Sequence, residues 1–217
     1  MAGCCCLHLV ELVLFAAAFL CGAVVAVELT WTQGSFNGDC PLYGVAVRNG
    51  SSLVLCPSAP SVCHFVAGTS GLLALFCLLL LLVWAYCCYT QKFYRSSVWL
   101  SISLAISSFL ILVCACILRF GTISLCNSIV SLKLTMSCSE AQKIPWTPRG
   151  STVQFYSNLH NAEMSSWVNL VLCMVLMLQV MKCSMCERAS SYEPLDSSSP
   201  MACSLPEPDQ WSLPEEH

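Results

Sequence analysis

The chain has 217 residues, of which 57% are hydrophobic and only 10% are charged, whereas about 25% of a typical soluble domain is charged. The net charge is −3 and seven of the twelve acidic residues follow Met181, so the chain lacks the basic surface of a nucleic-acid-binding protein. It contains no Gly-rich phosphate loop, His-Glu-x-x-His helix or Gly-x-Ser-x-Gly turn, so we expect neither an enzyme nor a cofactor or metal site.

Four long apolar runs without a charged side chain, residues 12–27, 65–91, 96–118 and 164–181, follow one another along the chain. Each approaches or exceeds the roughly 18 to 20 residues that a helix needs to cross a hydrocarbon core of about 30 Å. We therefore predict an all-α membrane protein, a four-transmembrane-helix bundle whose two outer loops are compatible with a small β-hairpin layer. Its predicted parts are a cytosolic N-terminus (1–6), TM1 (7–27), outer loop 1 (28–64), TM2 (65–86), a cytosolic loop (87–97), TM3 (98–118), outer loop 2 (119–161), TM4 (162–181) and a disordered cytosolic tail (182–217).

The first apolar run has two interpretations. Small residues at 23–26 suit cleavage of a signal peptide, which would leave three spans. Against cleavage, residues 1–6 carry no positive charge, and the run is longer than the 7 to 15 residues of a usual signal core. Glu11 lies about one turn past the start of TM1, where its carboxylate can reach headgroups or pair with His8, and a transport role for Glu11 is the alternative.

Small residues also recur at every fourth position of TM1, at Ala18, Gly22 and Ala26. This spacing predicts close contact with another helix, either within the monomer or between copies. Because only about eight residues separate TM2 from TM3, we expect those two helices to be antiparallel neighbours.

In outer loop 1, the β-rich segments Tyr43–Arg48 and Ser51–Leu55 flank Asn49-Gly50. That dipeptide tolerates the two positive φ values of a type I′ turn, so we predict a hairpin. Asn49-Gly50-Ser51 is also the single Asn-x-Ser/Thr acceptor in the chain, which predicts glycosylation of Asn49.

In outer loop 2, apolar and polar residues alternate over 132–138, which predicts a half-buried strand. Pro145, Trp146 and Pro148 then favour an irregular segment on the membrane surface, with the indole at the interface.

Charges near the span ends favour cytosolic termini. Four basic residues of the predicted cytosolic segments lie within about ten residues of a span, namely Lys92, Arg95, Lys182 and Arg188, whereas Arg119 alone does so on the other side.

The 18 cysteines can be grouped by the side of the membrane on which each is predicted to lie. Five lie in the outer loops, where an oxidising compartment permits disulfides. We favour the pairs Cys40–Cys56 and Cys126–Cys138, with Cys63 free, and links between the two loops remain an alternative. Seven others lie at the cytosolic edge as candidates for S-acylation such as palmitoylation, the alternative being that Cys serves there as a small hydrophobe. They are Cys4, Cys5, Cys6, Cys87, Cys88, Cys183 and Cys186.

The predicted tail is rich in Ser, Pro and Glu. Tyr192 and Leu195 have the tyrosine-x-x-hydrophobic spacing that a clathrin adaptor reads in an extended peptide. Ser197, Ser198 and Ser199 are candidate phosphorylation sites beside it.

The chain resembles the transmembrane protein 179 family over roughly residues 10–182. The segments that carry the resemblance are Phe15–Ala23, Thr32–Phe36, Cys40–Gly44, Ser139–Trp146, Phe155–Asn161 and Ser165–Leu170. The resemblance implies a multi-pass protein of vesicle, granule or cell-surface membranes, with no catalytic or binding residue to carry over. Two larger four-span groups fit less well, because the chain lacks the Cys-Cys-Gly of tetraspanins and the Trp-x-x-Trp-Cys-Cys of claudins.

We therefore expect a non-enzymatic membrane protein of secretory, endocytic or granule membranes that acts through lateral protein partners or as a membrane organiser. The alternative is a small transport or channel-accessory subunit. Expected contacts are the lipid bilayer, membrane-protein partners and a clathrin adaptor, and not nucleic acid.

Overall fold

The computed structural model describes residues 2–50, 52–90, 97–133, 137–144, 146–147 and 154–191, with side chains at 9–50, 53–86, 98–133, 137–144, 146 and 154–182. The elements in chain order are α1 (Ala2–Ser35), β1 (Cys40–Asn49), β2 (Ser52–Ser58), α2 (Pro60–Thr90), α3 (Ser97–Ser131), α4 (Cys138–Ala141), β3 (Trp146–Thr147) and α5 (Phe155–Ser191).

Four of the described helices are long and apolar enough to cross a membrane: Leu9–Ser35, Pro60–Tyr86, Val98–Ser131 and Phe155–Lys182. The predicted four-span membrane protein is therefore confirmed. The span on α3 has 34 residues. At 1.5 Å per residue it is about 50 Å long, roughly 20 Å more than a hydrocarbon core. The helices thus continue well into the segments that the sequence assigned to outer loops.

Helix α1 packs against both α2 and α5, and α3 packs against α5, whereas α2 and α3 touch much less. Helices α2 and α3 do touch, as expected of neighbours along the chain, but the contact between them is small. The small-residue face of α1 accounts for the difference. A Cβ placed on Gly22 would lie 3.2 Å from the Ala74 Cβ and 3.2 Å from the Ser70 carbonyl oxygen, so α2 docks on α1 within the monomer.

A three-stranded sheet, in the order β1-β2-β3, covers one end of the bundle, which we call the sheet end. Strands β1 and β2 form the predicted antiparallel hairpin, with Asn49 opposite Ser52. The predicted turn is displaced by one residue. Asn49 is still paired in β1, opposite Ser52, so the turn begins at Gly50, which has φ +63°. The type I′ turn at Asn49-Gly50 is thus a wrong prediction, because pairing holds Asn49 extended.

The strand predicted over 132–138 is absent from the described residues of that segment. Leu132 and Lys133 form a turn after α3, and Cys138 begins α4. The disulfide between Cys126 and Cys138 links α4 to α3. The third strand is instead the short β3, parallel to β2, with Leu53 opposite Trp146.

Trp146 is the centre of the core at the sheet end. Its side chain is 1% exposed, and its ring contacts Phe36 and Phe155 edge-on with centroids 5.5 and 5.2 Å away. The indole Nε1 donates a hydrogen bond to the Ala141 carbonyl at 3.1 Å. The prediction of an interfacial indole on the membrane surface is therefore wrong, because this donor finds its partner inside the protein.

Strand β1 lies directly on α3. Its buried residues Leu42 and Ala46 face the helix, and the Ala46 N–H donates to the Ser128 Oγ at 3.0 Å. Gly121 permits this approach. A Cβ there would lie 2.8 Å from Cδ2 and 3.0 Å from Cβ of Leu42.

Helix α5 extends past the predicted end of TM4. Helix α5 continues to Ser191, although disorder was predicted from residue 182, so the backbone of 182–191 is helical. Near that end of the bundle, Phe15, Leu104, Leu176 and Val180 form a second apolar core.

We expect Gly121→Ala to lower the free energy of unfolding by about 1–3 kcal/mol, because the added methyl overpacks the contact between α3 and β1. The matched control is Gly68→Ala in α2, where an added Cβ meets nothing within 4 Å. Thermal unfolding in detergent measures both variants. Equal melting temperatures for them would contradict the close approach of β1 to α3.

Candidate functional site: the sheet end of the bundle

A polar cleft opens between α3 and α5 at the sheet end. On α3, its residues follow the helical spacing i, i+3, i+4 and i+7; on α5, they follow i, i+4 and i+7. The cleft has a volume of about 230 Å³. It is lined by Arg119, Thr122, Ile123 and Cys126 of α3, by Tyr156, His160 and Glu163 of α5, and by Cys138 of α4. We call it the Arg119 cleft.

An ion pair forms the base of the cleft. Arg119 Nη1 donates to Glu163 Oε1 at 3.0 Å, and the two side chains are 55% and 8% exposed. The carboxylate is therefore buried while much of the guanidinium stays accessible. From the sequence, Arg119 bears only on the orientation of the chain in the membrane, and Glu163 is not among the predicted site residues. The signal was present, because Glu163 is the single charge inside the predicted TM4.

Two further features give the cleft polar walls. Thr122 is 7% exposed, and its Oγ1 has no hydrogen-bond partner in the part of the chain that the structure describes. On α5, the rings of Tyr156 and His160 stack with centroids 6.1 Å apart and an interplanar angle of 16°. The cleft thus presents a cation, a carboxylate, a hydroxyl and an aromatic pair.

Two disulfides hold the sheet end together. Cys126–Cys138, with Cα atoms 5.3 Å apart, joins α3 to α4 as predicted. The other joins Cys40 at the start of β1 to Cys63 in α2, with Cα atoms 5.7 Å apart. The predicted pair Cys40–Cys56 is therefore wrong.

The hairpin register explains the error. Cys40 lies opposite Ser58, whereas Cys56 lies opposite Val45, a residue that is 51% exposed. The Cys56 thiol is free and exposed on the outward side of the sheet, while Cys40 is fully buried beneath it. The register is irregular between Cys40 and Val45, so Cys56 pairs with Val45 and stays exposed, while the buried Cys40 reaches Cys63 of α2 instead.

The remaining predicted site residues divide by whether the structure describes them. Asn49 is exposed at the end of β1. Glu11 is 1% exposed and buried within the protein, so the interpretation in which it reaches headgroups is wrong. The side chains of all seven acylation candidates (Cys4, Cys5, Cys6, Cys87, Cys88, Cys183 and Cys186) lie outside the described residues, as do Tyr192, Leu195, Ser197, Ser198 and Ser199.

Within the described ranges, no group of three or more His, Cys, Asp or Glu side chains could hold a metal ion. The groups that the sheet end offers for binding are the charges and hydroxyl of the Arg119 cleft and its aromatic pair.

We expect peptide mapping without reduction to recover Cys40 linked to Cys63 and Cys126 linked to Cys138, with Cys56 open to alkylation. Cys63→Ser should lower the free energy of unfolding by about 2–5 kcal/mol, because a small disulfide-bonded unit loses that much when a bridge is removed. Cys56→Ser, at an exposed free thiol, is the control and should change it by less than about 0.5 kcal/mol. A Cys40–Cys56 peptide would contradict the register of the hairpin.

Comparison with known proteins gives one family match. Residues 7–202 match the model described as "Transmembrane protein 179/179B Claudin domain". The sequence-based separation from claudins therefore does not hold at the level of the domain, although the Trp-x-x-Trp-Cys-Cys motif is missing. The match to this domain model therefore does not require that motif. No solved structure shows a significant match.

Three curated relatives carry the name "Transmembrane protein 179B". The Homo sapiens protein is 65% identical over 199 residues, which cover 89% of this chain and 90% of that protein. The Mus musculus protein is 65% identical over 193 residues and the coverage is 87% of each chain. The Danio rerio protein is 37% identical over 179 residues, covering 80% of this chain and 82% of the relative.

Proposed function

The chain belongs to the transmembrane protein 179/179B family, and from that membership we propose a non-enzymatic multi-pass protein of secretory, endocytic or granule membranes. It acts through lateral protein partners, or as an organiser of the membrane in which it lies. Its contact surface is at the sheet end, where the three-stranded sheet packs on the helix bundle.

The observation that carries this proposal is an uncovered apolar face on the hairpin, which we call the hairpin patch (Val45, Val47 and Cys56). Val45 and Val47 are 51% and 44% exposed, and Cys56 lies opposite Val45 on the same side. Apolar residues gathered on one rigid surface are typical of a protein interface, whereas isolated ones need no explanation. The opposite face of β1 is fixed on α3, so the patch is held ready for a partner without reordering.

The two disulfides support the proposed orientation. Disulfides persist in oxidising compartments, so the sheet end belongs on the lumenal or extracellular side and both termini belong in the cytosol. Asn49 then lies where a glycan can be added. In that orientation we propose the seven edge cysteines as acylation sites and Tyr192 to Leu195 as a segment that a clathrin adaptor binds.

We expect the double variant V45D/V47D to lose partner association by roughly 10–100-fold, since burying the exposed half of each Val contributes about 0.7–1.5 kcal/mol. Cross-linking in cells followed by native gel electrophoresis measures the loss. The matched control is Val130→Asp, at an apolar residue of α3 that is 43% exposed and outside the patch.

Folding and orientation are checked in the same cells by a glycosidase shift that Asn49→Gln removes. Unchanged complexes with V45D/V47D, at a normal glycan shift, would reject the hairpin patch as the contact surface.

Burial of Glu11 favours the second candidate, a small transport or channel-accessory subunit. An ionisable group inside a membrane bundle is a default candidate for moving ions or protons. If this candidate is correct, reconstituted protein conducts or moves a solute and Glu11→Gln abolishes that flux. The first proposal predicts no flux from either protein, measured in liposomes with empty liposomes as the baseline.

A further inference from the structure

The Arg119 cleft lies about one hydrocarbon-core thickness along the bundle from the span ends opposite the sheet end. From Val98 to Arg119 along α3 is about 32 Å, and from Glu163 to Lys182 along α5 is about 29 Å, at 1.5 Å per residue. Both lengths match a hydrocarbon core of about 30 Å. The Arg119–Glu163 pair therefore lies level with the lipid headgroups of the leaflet at the sheet end. Trp167, one turn deeper on α5 than Glu163 and 36% exposed, is the residue type that prefers this boundary.

The hydroxyl of Thr122 is the unusual group in the cleft. Other buried hydroxyls on the spanning helices, at Thr32, Ser107 and Ser108, donate to the carbonyl four residues earlier. The Thr122 Oγ1 makes no such bond and finds no partner among the described residues. Since an unsatisfied buried hydroxyl is costly, a ligand atom that accepts from it would be stabilising.

Arg119 supplies a second donor on the same helix face, one turn away. Its guanidinium has five N–H groups in a planar fork, and one of them is used on Glu163. A half-exposed guanidinium beside a free hydroxyl is suited to a phosphate, whose oxygens only accept hydrogen bonds.

The charges of the cleft select among phosphate-bearing ligands. The positive charge of Arg119 and the negative charge of Glu163 cancel, so the cleft is dipolar rather than cationic. The Tyr156–His160 ring pair lies farther from the bilayer than Arg119, at the level of the outermost part of a headgroup. Aromatic faces attract quaternary and primary ammonium groups.

We propose that the Arg119 cleft binds the headgroup of a zwitterionic phospholipid of this leaflet, with the phosphate on Arg119 and Thr122 and the ammonium against the Tyr156–His160 pair. The acyl chains descend past Trp167 into the bilayer. This site is independent of the hairpin patch and of the orientation proposed above.

The test is native mass spectrometry of the delipidated full-length protein, titrated separately with phosphatidylcholine, phosphatidylserine and inorganic phosphate. We expect one phosphatidylcholine to bind saturably and at least about tenfold more tightly than either other probe. Thr122→Val should weaken that binding about tenfold, because one hydrogen bond to a charged acceptor is lost. Arg119→Gln should weaken it at least as much.

Thr122→Val separates binding from folding. The hydroxyl has no partner to lose, so the thermal stability of the lipid-free protein should be unchanged or higher. Ser124→Ala, at an exposed hydroxyl of α3 outside the cleft, is the matched control and should leave phosphatidylcholine binding unchanged.

Three results would overturn the proposal. Unchanged phosphatidylcholine binding by Thr122→Val would show that the lipid phosphate does not contact the Thr122 hydroxyl. Preference for phosphatidylserine would indicate an anionic-lipid site, and inorganic phosphate binding as tightly as phosphatidylcholine would indicate a site for free phosphate.

Discussion

The spanning helices are longer than the bilayer is thick, and the sheet end exists because of that excess. A span of 34 residues on α3 leaves several helical turns outside the hydrocarbon core. Those turns carry apolar side chains such as Leu125 and Ile129, both almost fully buried, which need cover from water. Strand β1 supplies the cover, and it can approach only because Gly121 has no side chain in its path. The core of the sheet end is thus continuous with the core of the helix bundle.

Covalent links turn this cover into a rigid unit. One disulfide fixes the start of β1 to α2, and the other fixes α4 to α3. Between them, Trp146, Phe36 and Phe155 fill the interior with edge-on aromatic contacts. Because the inner face of the hairpin packs on α3, its outer face forms a surface of fixed shape. The Cys126–Cys138 disulfide also lines the Arg119 cleft between α3 and α5.

The predictions that succeeded depend on local pattern. The four spans follow from run length, the hairpin from two β-rich segments around a turn, and the docking face of α1 from the repeat of Ala18, Gly22 and Ala26. Those that failed depend on contacts between distant segments. The partner of Cys40 depends on the irregular strand register between Cys40 and Val45, which no local pattern in the sequence indicates. Trp146 is of a residue type common at membrane interfaces, but its indole donates a hydrogen bond to the Ala141 carbonyl inside the protein. The alternation that begins at residue 132 does not form a strand in its described residues, since Leu132 and Lys133 form a turn and Cys138 begins α4. Glu163 was overlooked because its partner lies 44 positions earlier, on another helix.

Composition and periodicity were enough to establish a four-helix membrane bundle with a hairpin, because hydrophobic length and turn chemistry act over a few residues. Tertiary structure decided which helices touch, which cysteines pair, and where a cation, a carboxylate and an unsatisfied hydroxyl come together. Those outcomes depend on the register of strands and on which faces of α3 and α5 meet, and neither is encoded within a single short segment.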